Sequence, residues 1–348
     1  MKFLLLTLIP HTPNPVTGSK LSTRDRFHQV VDNAILAEEL GYDGFAVGER
    51  HERPFISSSP PVVLSHIAAK TQRIRLFTGV TTLSLLDPVR AFEDYATLDH
   101  LADGRLELMI GKGNGTAQRD LFDITEDEQW DRNRESYEVF HQLWRNNKIT
   151  WTGTIRPPLQ DAEVWPLPYQ KHLRVWHGSA TSTQSVDLAV RYGEPIFSAN
   201  VTHPIEPYKH LVDYYRHQWS AAGHDPSEAL VGAGSAGFLV RPTSQEAKAL
   251  YQPVFEARHA HSQIWESYDD FLERSSALVG SPAEISEKIL RYHEALGHEV
   301  MHASADGEGL NEAQHRESLE LFQSEVAPII RAAVPSRPLE PVFSHAKA

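Results

Sequence analysis

Cysteine is absent from all 348 residues. That excludes a disulfide framework, a thiol nucleophile, an iron–sulfur cluster and a cysteine-ligated zinc. It also suits a reducing compartment, so a cytoplasmic location is expected. Long apolar runs are missing too. The longest, Phe3 to Ile9, ends at Pro10, far short of the roughly 20 residues that cross a bilayer. Met1-Lys2 ahead of it imitates a secretory signal, but no small-residue cleavage site follows, and a buried first strand is expected instead. Cations are in deficit, 33 Lys and Arg against 46 Asp and Glu, for a net charge of −13. Such a surface repels nucleic acid and anionic lipid, so neither is an expected partner. A small anionic ligand would need a local positive pocket. The 19 histidines include one H-E-x-x-H, His298 to His302, but it runs into the strand expected at Val300–Ala303 instead of lying on the helix that a zinc site of this pattern requires. His259 and His261 fall in a helical stretch where i and i+2 diverge, and no metal site is expected. No G-x-S-x-G nucleophile elbow and no dinucleotide or Walker spacing appears.

What is present is an alternation of short apolar runs with stretches of helical period. Strands are expected at Phe3–Ile9, Gly44–Gly48, Ile74–Val80, Leu106–Ile110, Val175–His177, Pro195–Ser198, Val231–Val240 and Val300–Ala303. Helices are expected at Arg24–Leu40 with Gly41 as its stop, from Ser59-Pro60-Pro61 to Ala69, and from the Asp87-Pro88 cap to Leu101. Further helices are expected at Arg132–Asn146, Ser185–Tyr192 before Gly193, Pro204–Ala222, Pro282–Leu296 and Glu312–Ala333. Eight strands alternating with helices argue for an α/β fold with parallel pairing, closed as a (β/α)8 TIM barrel. Residues 1–334 are read as one barrel domain with insertions near 112–173 and 255–280, and 335–348 as a tail.

Chemistry in such barrels gathers where strands end. After strand five, Ser179, Thr181, Ser182, Thr183 and Ser185 crowd five hydroxyls at the start of a helix. Free backbone N–H groups and the helix dipole favour an anion there, though a serine-rich cap that binds nothing has the same pattern. Lys112, after strand four, adds a cation beside Gly111, Gly113, Asn114 and Gly115; those glycines suit close approach of something flat to the backbone. After strand two, Glu49, Arg50 and His51 place a base, a fixed cation and an imidazole together, suited to acid–base chemistry or to a surface ion-pair cluster.

Four stretches together resemble the bacterial luciferase-like, flavin-dependent monooxygenase family. They are Leu40 to His51 (LGYDGFAVGERH), Ile74 to Val80 (IRLFTGV), the long Asp87 to Gly113, and Val279 to Ile285 (VGSPAEI). The resemblance implies a luciferase-like barrel, usually dimeric. It implies a two-component monooxygenase that takes reduced FMN from a separate flavin reductase and, through a flavin hydroperoxide, oxygenates a small organic substrate with O2. Some branches use a deazaflavin for hydride transfer, and a non-catalytic flavin-binding or partner subunit is a further alternative. By position, Gly79 and Val80 match the site beside the flavin ring, where a non-proline cis peptide is expected. Lys112 and Arg134 match two arginines near the flavin phosphate, Ser182 and Ser185 match hydroxyls at that phosphate, and Thr181 stands where luciferase has glutamate. With Ser179, Thr183, Gly113 and Asn114 they form the expected cofactor site. Glu49, Arg50 and His51 form the expected catalytic set, with Arg50 in place of the family's catalytic histidine. The substrate stays open between a long-chain aldehyde, a ketone and an aromatic natural product. Phe255–Leu278, with His259, His261, Trp265 and Tyr268, could line its pocket or pack a helix.

Overall fold

The first strand shows how the barrel is built. Phe3 and Leu5 pack outward against the helices while Leu4 and Leu6 point inward. Both faces are apolar because both are covered, as parallel strands require. In the computed structural model, which describes residues 1–259, 264–337 and 342–343, this pattern repeats around a closed ring. Its strands are β1 (Lys2–Thr7), β2 (Gly44–Val47), β3 (Arg75–Thr78), β4 (Leu106–Gly111), β5 (Val175–Ser179), β6 (Ile196–Ser198), β7 (Val231–Gly234) and β8 (Val300–Ser304). Each pairs in parallel with the next, and β8 returns to β1. Thr81–Thr82 extends the β3 segment and rejoins β4 at Ile110 and Gly111. The fold is a (β/α)8 barrel.

Large side chains plug the interior: Leu4, Phe77, Met109, Trp176, Phe197 and Val300 form one buried cluster. Glu107, also inside and fully buried, accepts from Trp176 Nε1 at 2.7 Å, Arg75 Nε at 2.5 Å and Arg174 Nη1 at 3.0 Å. This filled floor leaves the other mouth of the barrel to hold a ligand.

The outer helices are α1 (Thr23–Leu40), α2 (Pro60–Ala68), α3 (Pro88–Leu101), α4 (Gln129–Arg145), α5 (Thr183–Tyr192), α6 (Ile205–Ala221), α7 (Pro282–Leu296) and α8 (Glu312–Leu321). Two of their ends show the expected chemistry. Asp87 accepts from the Val89 and Arg90 N–H groups ahead of Pro88, and Gly41 closes α1 at φ +83°. Beyond α8 a π-turn over Phe322–Val326 leads to a last helix, Ala327–Ala333.

Several boundaries differ from the sequence expectation. Helix α4 starts at Gln129 rather than Arg132, and α5 at Thr183, which makes Ser182 its N-cap and puts Ser185 in its first turn. The stretch expected as one strand over Val231–Val240 is two. Ser235 N–H still bonds His302 O at 3.1 Å, but the Ala236 N–H is taken by Ser276 Oγ at 2.9 Å, which turns the chain out of the barrel. Phe238–Val240 then pairs with Leu278–Gly280 outside it. Between β4 and β5 lies an antiparallel pair, Ile149–Trp151 with Leu159–Ala162. Between β7 and α7 lie the helices Ser244–His259 and Tyr268–Arg274, packed around Tyr251, Phe271, Trp265 and Val279. In the tail, Val342–Phe343 pairs with the Gln170–His172 strand, whereas 338–341 and 344–348 lie outside the described residues.

Candidate active site

All eight strands, or the residues that directly follow them, contribute to one cavity of about 890 Å3 at the C-terminal mouth of the barrel. Its floor is backbone. Gly79, Gly111 and Gly178 line it beside Val80, and the Gly79–Val80 peptide is cis, as the resemblance implies. A Cβ on Gly178 would come within 2.8 Å of Val80 Cγ1 and 3.2 Å of Ile110 O. Glycine there lets β5 lie flat against the β3 segment, and the floor stays smooth.

On one side of this floor stands the start of α5. Ser179, Thr181, Ser182 and Ser185 line the cavity; Thr183, the first helical residue, does not. Ser179 Oγ donates to Ser182 O at 2.9 Å and accepts the Ser182 N–H at 3.0 Å, which folds the loop tightly ahead of the helix. Ser182 makes no side-chain cap; its hydroxyl donates to Gln184 Oε1 at 2.8 Å. Ser185 is buried and reaches Gly178 O at 3.3 Å. The first-turn N–H groups of α5 thus lack the usual capping oxygen and suit an anion.

Lys112 and Gly113 follow β4 along the same wall. The Lys112 ammonium sits 3.2 Å from Gln129 Oε1 and 5.6 Å from the centre of the Trp130 ring. Its backbone carbonyl accepts from Ser84 Oγ and Gln129 Nε2, at 2.7 and 2.6 Å. Arg134, expected to be a second cation at the phosphate, does not line this cavity. It lies on α4 with its guanidinium 3.1 Å from Asp131 Oδ1 and well exposed.

The Glu49–Arg50–His51 set divides its labour. Glu49 is buried, accepting His51 Nε2 at 2.9 Å on one oxygen and the Thr82 N–H at 3.0 Å on the other. His51 packs edge-on to Phe122 and is not a cavity-lining residue. Arg50 is, with Glu49. Its Nη1 donates to Glu52 Oε1 at 3.0 Å and Asn114 Oδ1 at 2.9 Å, so it ties the end of β2 to the loop after β4. The bonds to Glu49 and Asn114 hold all three side chains in place.

The opposite wall comes from β7, β8 and the Ser244–His259 helix, with Ser235, Arg258, His259, His302, Asp306 and Glu308. Trp265 packs away into the satellite core with Tyr268 against it, and His261 lies outside the described residues. Of this wall, the sequence points only to the stretch from Phe255 that holds Arg258 and His259. The signal was nonetheless present: His302 and Ser304 alternate at the end of strand eight, as Glu49 and His51 do after strand two. Among the described residues no cluster of three or more metal-ligating side chains occurs, and no helix is long and apolar enough to cross a membrane.

Comparison with known proteins agrees with this arrangement. The sequence profile of the luciferase-like monooxygenases matches residues 1–299. The chain is 36% identical over 291 residues to the uncharacterized protein y4wF of Sinorhizobium fredii, covering 77% of this chain and 82% of that one. It is 24% identical over 319 residues to limonene 1,2-monooxygenase of Rhodococcus erythropolis, covering 86% and 81%. The chain belongs to the luciferase-like monooxygenase family and is an enzyme of that family. Among solved structures, monooxygenase RslO1 of Streptomyces bottropensis superposes with a TM-score of 0.83 at 24% identity, covering 94% of this chain and 99% of that one. The FMN complex of the oxygenating constituent of 3,6-diketocamphane monooxygenase, from Pseudomonas putida, gives 0.76 at 20%, covering 94% and 98%. An F420-dependent secondary alcohol dehydrogenase gives 0.72 at 16%, covering 95% and 99%. The three share its fold.

Proposed function

We propose that this enzyme is an FMN-dependent, two-component monooxygenase of the cytoplasm, working as a homodimer and supplied with reduced FMN by a separate reductase. One juxtaposition carries the reading: an anion-fitted helix start with a nearby lysine, adjoining a glycine-lined floor inside one cavity. That is the shape of a phosphate joined to a flat ring. Ser182, Ser185, the α5 backbone and Lys112 hold the phosphate, while Gly79, Val80, Gly111 and Gly178 bed the ring. Bound reduced flavin supplies two electrons, so that one atom of O2 enters the substrate and the other leaves as water.

The residues of this chain then have distinct tasks. Arg50, at the cavity wall, stabilises negative charge developing near the ring, a role for which a fixed guanidinium is suited. Glu49 and His51 position it by anchoring the end of β2 to Thr82. The apolar barrel interior below and Trp130 at the side limit water.

The test offers the purified enzyme reduced FMN and, separately, a reduced deazaflavin, with a panel of aldehydes, ketones and aromatic substrates. The expected result is substrate-dependent oxygen uptake with FMN and label from 18O2 in the product. Hydride transfer from the deazaflavin without oxygen uptake would replace this reading with a dehydrogenase. No turnover with either coenzyme would leave a flavin-binding partner subunit.

A further inference from the structure

Strands β3, β4 and β5 carry the cofactor half of the cavity, and in a closed ring of eight β8 stands four strands away from β4, directly across the mouth. Its neighbour β7 shares that far wall. Two polar side chains there each carry an atom with no bonding partner among the described residues. His302 is 8% exposed, and its Nδ1 has no hydrogen-bond partner among the described residues. Ser235, 7% exposed, has an unpartnered hydroxyl in the same sense. Both line the cavity, and the Ser235 N–H to His302 O bond joins their backbones.

The surroundings fix these groups in place. The imidazole stacks on Phe197, centroids 5.6 Å apart and planes 20° from parallel. On its other flank it lies so close to β7 that a Cβ on Gly234 would sit 2.3 Å from His302 Nε2. Asn200 Oδ1 takes the Gly234 N–H, and Ser276 Oγ takes that of Ala236, so the backbone on both sides of Ser235 is tied down. A buried polar atom without a partner costs free energy that a ligand can recover, and two such atoms on backbone-bonded residues of one cavity wall are a built subsite.

We propose that His302 and Ser235 form the substrate-recognition subsite of this enzyme, binding a neutral oxygen, a carbonyl or hydroxyl, on a compact organic substrate. The inference rests on the flavin reading for its division of the cavity into halves. Charge on the far wall supports neutrality. Arg258 is engaged by both oxygens of Glu308, and Asp306 by Arg26 and Thr7, so each ion there is already matched. Burial also pushes the imidazole down to about 4, so at neutral pH it carries one N–H and one bare nitrogen. Such a pair can donate to a carbonyl or exchange bonds with a hydroxyl. It cannot balance a carboxylate or a sulfonate, which would enter desolvated and unpaired.

The experiment titrates FMN-loaded protein containing isotope-labelled histidine with cyclohexanone, methylcyclohexane and cyclohexanecarboxylate. Cyclohexanone alone should move the His302 imidazole resonance and bind about tenfold more tightly than either of the others, as one recovered hydrogen bond implies. Ser235→Ala, which removes a single oxygen, should cut that preference about fivefold. His302→Phe should abolish it, and His302→Gln, which keeps a donor and an acceptor, should retain most of it. Melting temperatures recorded on each variant separate loss of the subsite from loss of the fold. Equal binding of the three probes, or a preference that survives both Ser235→Ala and His302→Phe, overturns the proposal. FMN affinity is read in the same samples and should be unchanged. If it falls more than about tenfold while the ketone response persists, the pair serves the coenzyme and the proposal fails. If the wild-type protein binds no FMN, the proposed function fails instead, and the same titration without coenzyme still decides the subsite.

Discussion

Replacing Lys112 with Met keeps the length of a side chain at the proposed phosphate site and removes its charge. Opposite unit charges about 4 Å apart attract by about 4 kcal/mol at an effective dielectric of about 20. Part of that is lost, because the ammonium is half-buried, must shed water, and leaves Gln129 Oε1 at 3.2 Å. About 1–2 kcal/mol should remain, a 5- to 30-fold rise in Kd for FMN, on the order of tenfold per 1.4 kcal/mol. Replacing Ser182 and Ser185 with Ala removes two hydroxyls now spent on Gln184 at 2.8 Å and Gly178 O at 3.3 Å. Turning them to a phosphate trades those bonds for charge-assisted ones, worth about 1–3 kcal/mol for the pair. Neither variant touches the N–H groups of α5, so a residual preference for an anion of about 0.3–1 kcal/mol should persist. The assay is fluorescence titration with FMN and, in parallel, riboflavin, which has the ring and lacks the phosphate. FMN affinity should fall and riboflavin affinity should not, and high salt should shrink the Lys112→Met effect. Equal losses for both ligands, or no loss for FMN, would refute the assignment of this helix start as a phosphate cradle.

The buried histidines set an acid limit on stability. His298 is held down to about 3 and His302 and His315 to about 4, in each case chiefly by burial. Well above pH 6.5 they are neutral in both states and contribute nothing to the pH dependence. Between there and about pH 4 the unfolded chain takes up protons that the folded chain refuses, so stability falls as pH falls, by up to about 1.4 kcal/mol per pH unit for each histidine. Urea midpoints at pH 7 and pH 5 should show the drop, and a higher midpoint at pH 5 would contradict it. Glu107→Ala empties a fully buried carboxylate site that Arg75, Arg174 and Trp176 share, and should cost about 3–5 kcal/mol in urea unfolding; a cost below about 1 kcal/mol would mean the ion cluster is not structural. Glu49→Ala strands the buried Thr82 N–H and should cost about 1–3 kcal/mol, whereas Glu49→Gln, which keeps an oxygen toward Thr82, should cost less. Equal costs would place the role of Glu49 in its charge rather than in that bond.

The order of the barrel was legible because most strands carry apolar residues on both faces and several helices begin on a cap or stop at a glycine. Asp87-Pro88 and Gly41 are local chemistry, and local chemistry reads directly from sequence. The split of Val231–Val240 was not legible, because it is decided by Ser276, 40 residues away, taking the Ala236 N–H. Arg134 shows the same limit in the site. Its position in the chain resembles that of a phosphate ligand, but its helix points it at Asp131 and solvent. His302 and Ser235 were legible in part. They end strands eight and seven, where the barrel rule directs attention, but their missing partners appear only once the walls are assembled.

If this barrel mouth holds reduced FMN, as proposed, it must control the reaction of that flavin with oxygen. Protein premixed anaerobically with reduced FMN is mixed rapidly with aerated buffer, and the absorbance spectrum is followed. The expected result is a spectrum that is neither reduced nor oxidised flavin and that outlasts the reoxidation of free FMN, with a shorter lifetime in Arg50→Ala. Oxidised flavin appearing as fast as it does without protein would contradict it.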